Sequence, residues 1–268
     1  MKRRSFLVSQ VPAASLLAAG IASGTRAVAE EPTQTRQYYE LRTYHLRRGA
    51  QHDSMSEFLE HAWLPAMNRL GISPIGFFEV MTGSGSPSIY VLIPYDSLAT
   101  LSTVDARLAA DAEFQRIGSP TINAPSDRPP YDRMESSLMV AFNGMPRLAV
   151  PDYGARQADR FFELRVYESH SKRAHQKKIE MFNTGEIAIF HRTGLRPVFF
   201  GDTLIGQKQP ELTYMLAFES MGSHDKNWKA FVADPEWKRL STTPGYTDGE
   251  VVSSISNMFL RPTSYSQI

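Results

Sequence analysis

The sequence predicts an α+β fold in which two tandem βαββαβ units close on each other as one intramolecular barrel. Three observations carry this. First, the chain repeats itself, without a gap, at an offset of 123 residues: Tyr38-Tyr39-Glu40-Leu41-Arg42-Thr43-Tyr44 returns as Phe161-Phe162-Glu163-Leu164-Arg165-Val166-Tyr167. The same offset pairs His52 with His175, Glu57 with Glu180, Arg69 with Arg192, Gly71 with Gly194, Pro74 with Pro197, Gly83 with Gly206 and Pro87 with Pro210. Second, both copies show one order of hydrophobic periods and turn residues. Third, a βαββαβ sheet carries helices on one face only, so its bare face needs a cover, and a second copy in the same chain supplies it. The unit is too long for a solenoid repeat and reads as a whole small domain, duplicated.

The elements follow in order. Alternating residues predict a strand at 37–45. Met55, Phe58, Leu59, Ala62, Trp63 and Met67 recur at helical spacing and predict a helix over 50–69, ended by Gly71. Strands at 74–82 and 88–95 flank the turn-rich Gly83-Ser84-Gly85-Ser86-Pro87. Ser97 is an N-cap candidate for a second helix over 97–117, and Phe114 packs its end on the sheet. A Pro-rich stretch (Pro120, Pro125, Pro129, Pro130) leads to a last strand at 134–142. The second copy predicts strand 160–168, helix 172–192, strands 197–205 and 211–219, helix 221–240 and strand 250–260, with Trp237 in the place of Phe114. This is the ferredoxin-like order, twice. The domains are therefore 37–143 and 160–262, joined by a linker over 144–159 with Pro146, Pro151 and Gly154.

The first thirty residues read as an address. Arg3-Arg4-Ser5-Phe6-Leu7 is a twin-arginine pattern, an apolar stretch runs from Val11 to Ala22, and Ala27-Val28-Ala29 is an A-x-A site. Residues 1–29 are thus expected to be a signal peptide cleaved after Ala29, for export to the periplasm. An uncleaved anchor is the alternative, but the apolar run is too short to span a bilayer. The whole chain has 29 basic residues against 28 acidic, and losing Lys2, Arg3, Arg4 and Arg26 leaves 25 against 28, a net charge of −3. That balance excludes nucleic acid and anionic membrane as expected partners. The sequence has no cysteine, which excludes disulfides, thiolate catalysis and cysteine metal sites.

The candidate site is the repeated Glu-Arg-Tyr row. Strand parity puts Tyr39, Leu41 and Thr43 on one face and Glu40, Arg42 and Tyr44 on the other, with Glu163, Arg165 and Tyr167 matching in the second copy. With the apolar set against the helices, the two charged rows are expected to face each other across the barrel interior. Buried charges must pair, so the rows are either structural ties or a ligand lining. As a lining, Arg42 and Arg165 would orient an anionic or carbonyl oxygen, Glu40 or Glu163 would act as base, and Tyr44 or Tyr167 as donor. One of Phe77-Phe78 and one of Phe199-Phe200 are expected to enter the same space, making it partly apolar.

Other signatures are missing. No histidine pair has zinc-ligand spacing, and no metal site is expected. His52 and His175 recur at the offset but sit early in their helices, where exposure is expected. There is no P-loop, no G-x-S-x-G and no dinucleotide fingerprint.

Tyr39-Glu40-Leu41-Arg42-Thr43-Tyr44, Leu216-Ala217-Phe218-Glu219-Ser220-Met221 and Ala233-Asp234-Pro235-Glu236-Trp237 resemble the NIPSNAP family. The first copy departs from the pattern, with Ala112 for proline, Phe114 for tryptophan, and Pro94-Tyr95-Asp96 against Ala217-Phe218-Glu219. The resemblance implies a dimeric α+β barrel and supplies no catalytic residue. The departures imply an asymmetric molecule. Two functions follow as expectations: a module binding a small organic ligand or protein partner, and a cofactor-independent monooxygenase- or isomerase-like enzyme. A structural homo-oligomer stays open, and no cofactor is assigned.

Overall fold

The computed structural model describes residues 35–83, 85–153 and 160–268. The signal peptide expected at 1–29 and linker residues 154–159 lie outside the described residues.

The first repeat runs β1 (Tyr38–His45), α1 (Ala50–Phe58), a π turn (Leu59–Trp63), α2 (Leu64–Arg69), β2 (Gly76–Val80), β3 (Ser88–Tyr95), α3 (Leu98–Ala110), α4 (Ala112–Ile122) and β4 (Arg133–Ala141). The second runs β5 (Phe161–Glu168), α5 (Lys172–Met181), a π turn (Phe182–Glu186), α6 (Ile187–Arg192), β6 (Arg196–Ile205), β7 (Glu211–Phe218), α7 (Met221–Ala233), α8 (Pro235–Ser241), α9 (Asp248–Val251) and β8 (Ser254–Pro262).

The predicted long helices are therefore each subdivided. The first keeps its direction through a single widened turn, a local feature common near functional sites. The second breaks at Asp111 and again at Asp234. Each aspartate leaves helical geometry and caps the next helix, accepting from the backbone N–H of Phe114 (2.9 Å) in one repeat and of Glu236 and Trp237 (2.9 and 3.1 Å) in the other. The same carboxylates hold Arg69 and Arg192 at the ends of α2 and α6, at 2.7 and 2.6 Å. Gly71 and Gly194 follow those helices with φ of 79° and 85°, a left-handed turn that glycine adopts without strain.

The eight strands form a closed barrel in the order β1-β3-β2-β8-β5-β7-β6-β4. Each repeat contributes one four-stranded antiparallel sheet, and β2–β8 and β4–β6 are the seams. Sheet edges that would be exposed in a lone unit are thus paired within the chain.

The barrel interior corrects the expected facing of the strands. Tyr39, Phe78, Leu92, Met139, Phe162, Leu164, Phe199, Met215 and Leu260 fill it, drawn from all eight strands with Val198, Ala141 and Ala217. Phe78 meets Phe162 across the two sheets, with ring centroids 4.8 Å apart, and Tyr39 meets Phe199 at 5.2 Å. Phe78 and Phe199 are the members of their pairs that enter, whereas Phe77 and Phe200 turn to the helices. Phe78 is answered at the offset by Gly201, where a Cβ would lie 2.8 Å from Met139 Sδ; the interior has room for one ring there. The Glu-Arg-Tyr rows point the other way, into the two helix–sheet layers. A fully enclosed barrel offers a charge neither water nor spare partners, so the more apolar parity set goes inside. The two rows do not face each other.

Candidate functional site

In the first repeat the row forms one chain of hydrogen bonds under the helices. Glu40 Oε1 accepts from Arg42 Nε at 2.9 Å and from Ser136 Oγ at 2.8 Å, and Arg42 NH2 lies 2.8 Å away. Glu40 Oε2 accepts from the Tyr95 hydroxyl at 3.0 Å. Arg42 NH1 donates to the Tyr44 hydroxyl at 3.1 Å, and its guanidinium carbon lies 5.6 Å from the Trp63 ring. Burial opposes the Arg42 charge, but Tyr44 and Glu40 outweigh it and hold its pKa above the ordinary value. Burial also raises the Tyr44 pKa, with Arg42 pulling against it, so the phenol stays protonated.

The second repeat builds the same row. Arg165 NH1 donates to Glu163 Oε1 at 2.6 Å, and Arg165 NH2 to the Tyr167 hydroxyl at 3.1 Å. Asn257, opposite Arg165 on β8 as Ser136 is opposite Arg42 on β4, donates to Glu163 Oε1 at 3.0 Å. What differs is everything above the row. Position 95 is tyrosine, and its counterpart is Phe218. The donor to Glu163 Oε2 is instead the indole of Trp228, at 3.0 Å, from α7. That indole also covers Arg165, with the guanidinium carbon 4.8 Å from its ring. The residue at the position of Trp228 in α3 is Asp105.

A second exchange lies beneath the π turns. Trp63 and Met55 in the first repeat are answered by Glu186 and Lys178, which form an ion pair at 3.1 Å with side chains 3 % and 1 % exposed. Lys178 lies against the rings of Phe182, Tyr167 and Trp237, at 5.0, 5.5 and 5.7 Å. Burial raises the Glu186 pKa, with Lys178 opposing it. The Tyr167 hydroxyl is engaged by Tyr214 at 3.0 Å; at the offset, Tyr214 is answered by Val91.

The consequence is a cleft in the first repeat. One part, about 310 Å³, is lined by Tyr44, Met55, Phe58, Trp63, Leu108, Phe114, Ile122 and Tyr131. Another, about 230 Å³, reaches Glu40, Arg42, Tyr95 and Ser136. Asp105 lines both. It is exposed and has no hydrogen-bond or ion-pair partner among the described residues. The cleft is mostly apolar with a few converging polar groups, and its size falls at the small end of ligand sites.

Of the six residues the sequence nominated, Glu40, Arg42 and Tyr44 thus line a cleft, while Glu163, Arg165 and Tyr167 sit under Trp228 and Tyr214. Asp105, Trp63 and Tyr131 were not nominated. The signal for Asp105 was its difference from Trp228 at the repeat offset. His52 and His175, expected at the surface, are hydrogen-bonded to the second strand of their repeats: His52 Nε2 to Glu79 at 2.9 Å and His175 Nε2 to Asp202 at 2.7 Å. His175 is buried. Among the described residues no cluster of three or more metal-ligating side chains is found, and no helix is long and apolar enough to cross a membrane.

The NIPSNAP family profile matches residues 39–143 and again 162–267. The chain belongs to the NIPSNAP family. Its two NIPSNAP domains are the two repeats of the barrel. No match was found among curated proteins. Among solved structures, the chain is similar to a protein from Lactobacillus acidophilus NCFM proposed to be a monooxygenase, at 12 % identity and a TM-score of 0.53, over 85 % of this chain and 94 % of that one. A Fusobacterium nucleatum protein given the same role matches at 7 % identity and a TM-score of 0.56, over 85 % and 93 %. A NIPSNAP-like domain protein from Burkholderia xenovorans is 20 % identical over 41 % of this chain and 90 % of that one, with a TM-score of 0.37. The first two establish a shared α+β barrel fold for this NIPSNAP pair, and fold alone.

Proposed function

We propose that this tandem NIPSNAP protein binds a small organic molecule in the helix–sheet cleft of its first repeat, with Glu40, Arg42 and Tyr44 at the floor. The second repeat completes the barrel and carries Glu163, Arg165 and Tyr167 as structural ties. One observation carries this reading: a cavity lined by Asp105 reaches Glu40 and Arg42, whereas at the matching place in the second repeat the Trp228 indole packs over Arg165. Native mass spectrometry of the purified folded chain, followed by denaturation, is expected to release one small molecule per chain. Asp105→Trp is expected to abolish its retention, and Ala109→Trp, at another lining position, to do the same. Retention by both variants would sink the assignment.

Turnover is the second reading, and it rests on Asp105 and Tyr44 lining one cleft. Glu40 is saturated by Arg42, Ser136 and Tyr95, so Asp105 is the freer proton acceptor, and Tyr44 is a protonated donor. Such a pair suits isomerase-like proton transfer, and the fold is shared with two proteins proposed to be monooxygenases. A substrate screen in which Asp105→Asn removes turnover and spares binding would distinguish it. We further propose that residues 1–29 direct export through the twin-arginine route. Replacing Arg3 and Arg4 by lysine should then hold the chain in the cytoplasm, as fractionation would read.

A further inference from the structure

The Tyr44 hydroxyl is the most informative atom of the cleft. Its oxygen accepts from Arg42 NH1, so its own proton must be directed elsewhere. In the second repeat the matching hydroxyl is taken up by Tyr214; here Val91 stands in that place, and among the described residues no acceptor meets the Tyr44 proton. A buried donor without an acceptor is costly, and an incoming acceptor relieves that cost. Tyr44 is 4 % exposed. Its ring packs on Tyr131, with centroids 5.4 Å apart, and Trp63 and Phe58 continue the aromatic wall. The same cavity is also lined by Asp105, which is exposed and has no hydrogen-bond or ion-pair partner among the described residues. Glu40 neutralises Arg42 at 2.8 Å, so the uncompensated charge of the cleft is that of Asp105, and it is negative. An anionic ligand is repelled, and a ligand with a donor at its outer end is favoured.

Building on the cleft assignment above, we infer that the ligand is a flat two-ring aromatic, uncharged or cationic. Its carbonyl-type oxygen accepts from Tyr44, and a hydroxyl or amine at its other end donates to Asp105. The small volume of the cleft, about 310 Å³ beside the tyrosine, favours two rings over a larger scaffold.

Calorimetric titration with four related probes tests this. 6-Hydroxy-1-tetralone carries both groups, 1-tetralone lacks the donor, 5,6,7,8-tetrahydro-2-naphthol lacks the carbonyl, and 1-naphthoate is an anion. The hydroxytetralone should bind one per chain and most tightly. Tyr44→Phe should weaken both ketones about tenfold, the scale of one hydrogen bond, and leave the naphthol unchanged. Asp105→Asn should weaken the hydroxytetralone and the naphthol and spare 1-tetralone. Circular dichroism and the thermal midpoint establish that each variant is folded. If Tyr44→Phe weakens naphthol and ketones alike, or naphthoate binds best, the ligand class is wrong while the cleft stands. If no probe binds, the ligand class is likewise wrong; if binding persists in both Asp105→Trp and Ala109→Trp, the cleft reading fails with it.

Discussion

Trp228 lies over Arg165, the guanidinium carbon 4.8 Å from its ring, while its indole N–H donates to Glu163 at 3.0 Å. One side chain thus does two things: it packs over the arginine of a charged pair and donates a hydrogen bond to the glutamate of that pair. Asp105, at the same place in the first repeat, does neither. Trp228→Asp is therefore expected to open a cleft over Arg165 resembling that over Arg42, and to bind the same probes more weakly. Trp228 is half-buried, so the truncation Trp228→Ala should cost about 2–3 kcal/mol, below the range for a fully buried tryptophan. Urea unfolding reads the cost; a loss within error would mean that the indole packs too loosely to close the site.

The two glutamates of the rows should differ in stability effect. Glu163 has a side chain 2 % exposed and accepts from Arg165, Asn257 and Trp228, whereas Glu40 is 11 % exposed beside the cleft. Removing one partner of a buried pair leaves an uncompensated charge. Glu163→Ala is expected to cost about 3–5 kcal/mol. Glu40→Ala should cost less, because Glu40 is the more exposed of the two carboxylates, while Arg42 and Arg165 are equally exposed at 16 %. Equal losses in paired denaturation curves would argue that the two rows have the same surroundings.

The sequence made the duplication and the element order legible because identities at a fixed offset survive divergence in the core. It also named Glu40, Arg42 and Tyr44. It misjudged which way they face. Parity separates Tyr39, Leu41 and Thr43 from the charged set, but nothing in a strand's alternation says which face a second sheet will cover. That depends on closure of the barrel, whose seams are set by pairings such as Val80 with Leu260 and Ala141 with Gly201. Asp105 and Trp228 were invisible while only identities at the offset were read. The site is written in the differences.

Acid stability should depend on the two helix-capping aspartates. Hydrogen bonds from Arg192 hold the Asp234 pKa well below the usual carboxylate range, helped by the N–H groups it caps. A folded-state pKa that is depressed gives stability that is fully present above the unfolded value, about 4, and is lost as pH falls toward the folded one. Asp111 is lowered too, by the N–H of Phe114 first and by Arg69. Asp234→Asn is expected to flatten the pH dependence of the urea midpoint below about pH 4. Asp111→Asn should do so in the same direction. An unchanged acid limb in Asp234→Asn would show that the pair is made equally in the unfolded chain.

The buried Lys178–Glu186 pair offers the sharpest comparison between repeats, because the molecule already contains its apolar replacement. Met55 and Trp63 hold the same two places over the first row, both buried. Burying two charges is expensive, and a well-packed apolar pair of similar volume is often as stable or more so. Breaking the pair is different: Lys178→Met leaves Glu186 without its cation, and Glu186→Trp leaves the ammonium against Phe182, Tyr167 and Trp237 with only a methionine sulfur to meet it. Each single substitution is expected to cost about 3–5 kcal/mol, and the double substitution clearly less than either. The cycle then yields a large favourable coupling between the two changes. Additive losses would mean that tryptophan does not fit beside Trp237. In that case, Lys178→Met with Glu186→Leu separates a packing failure from an electrostatic one, since only the former is repaired by the smaller side chain.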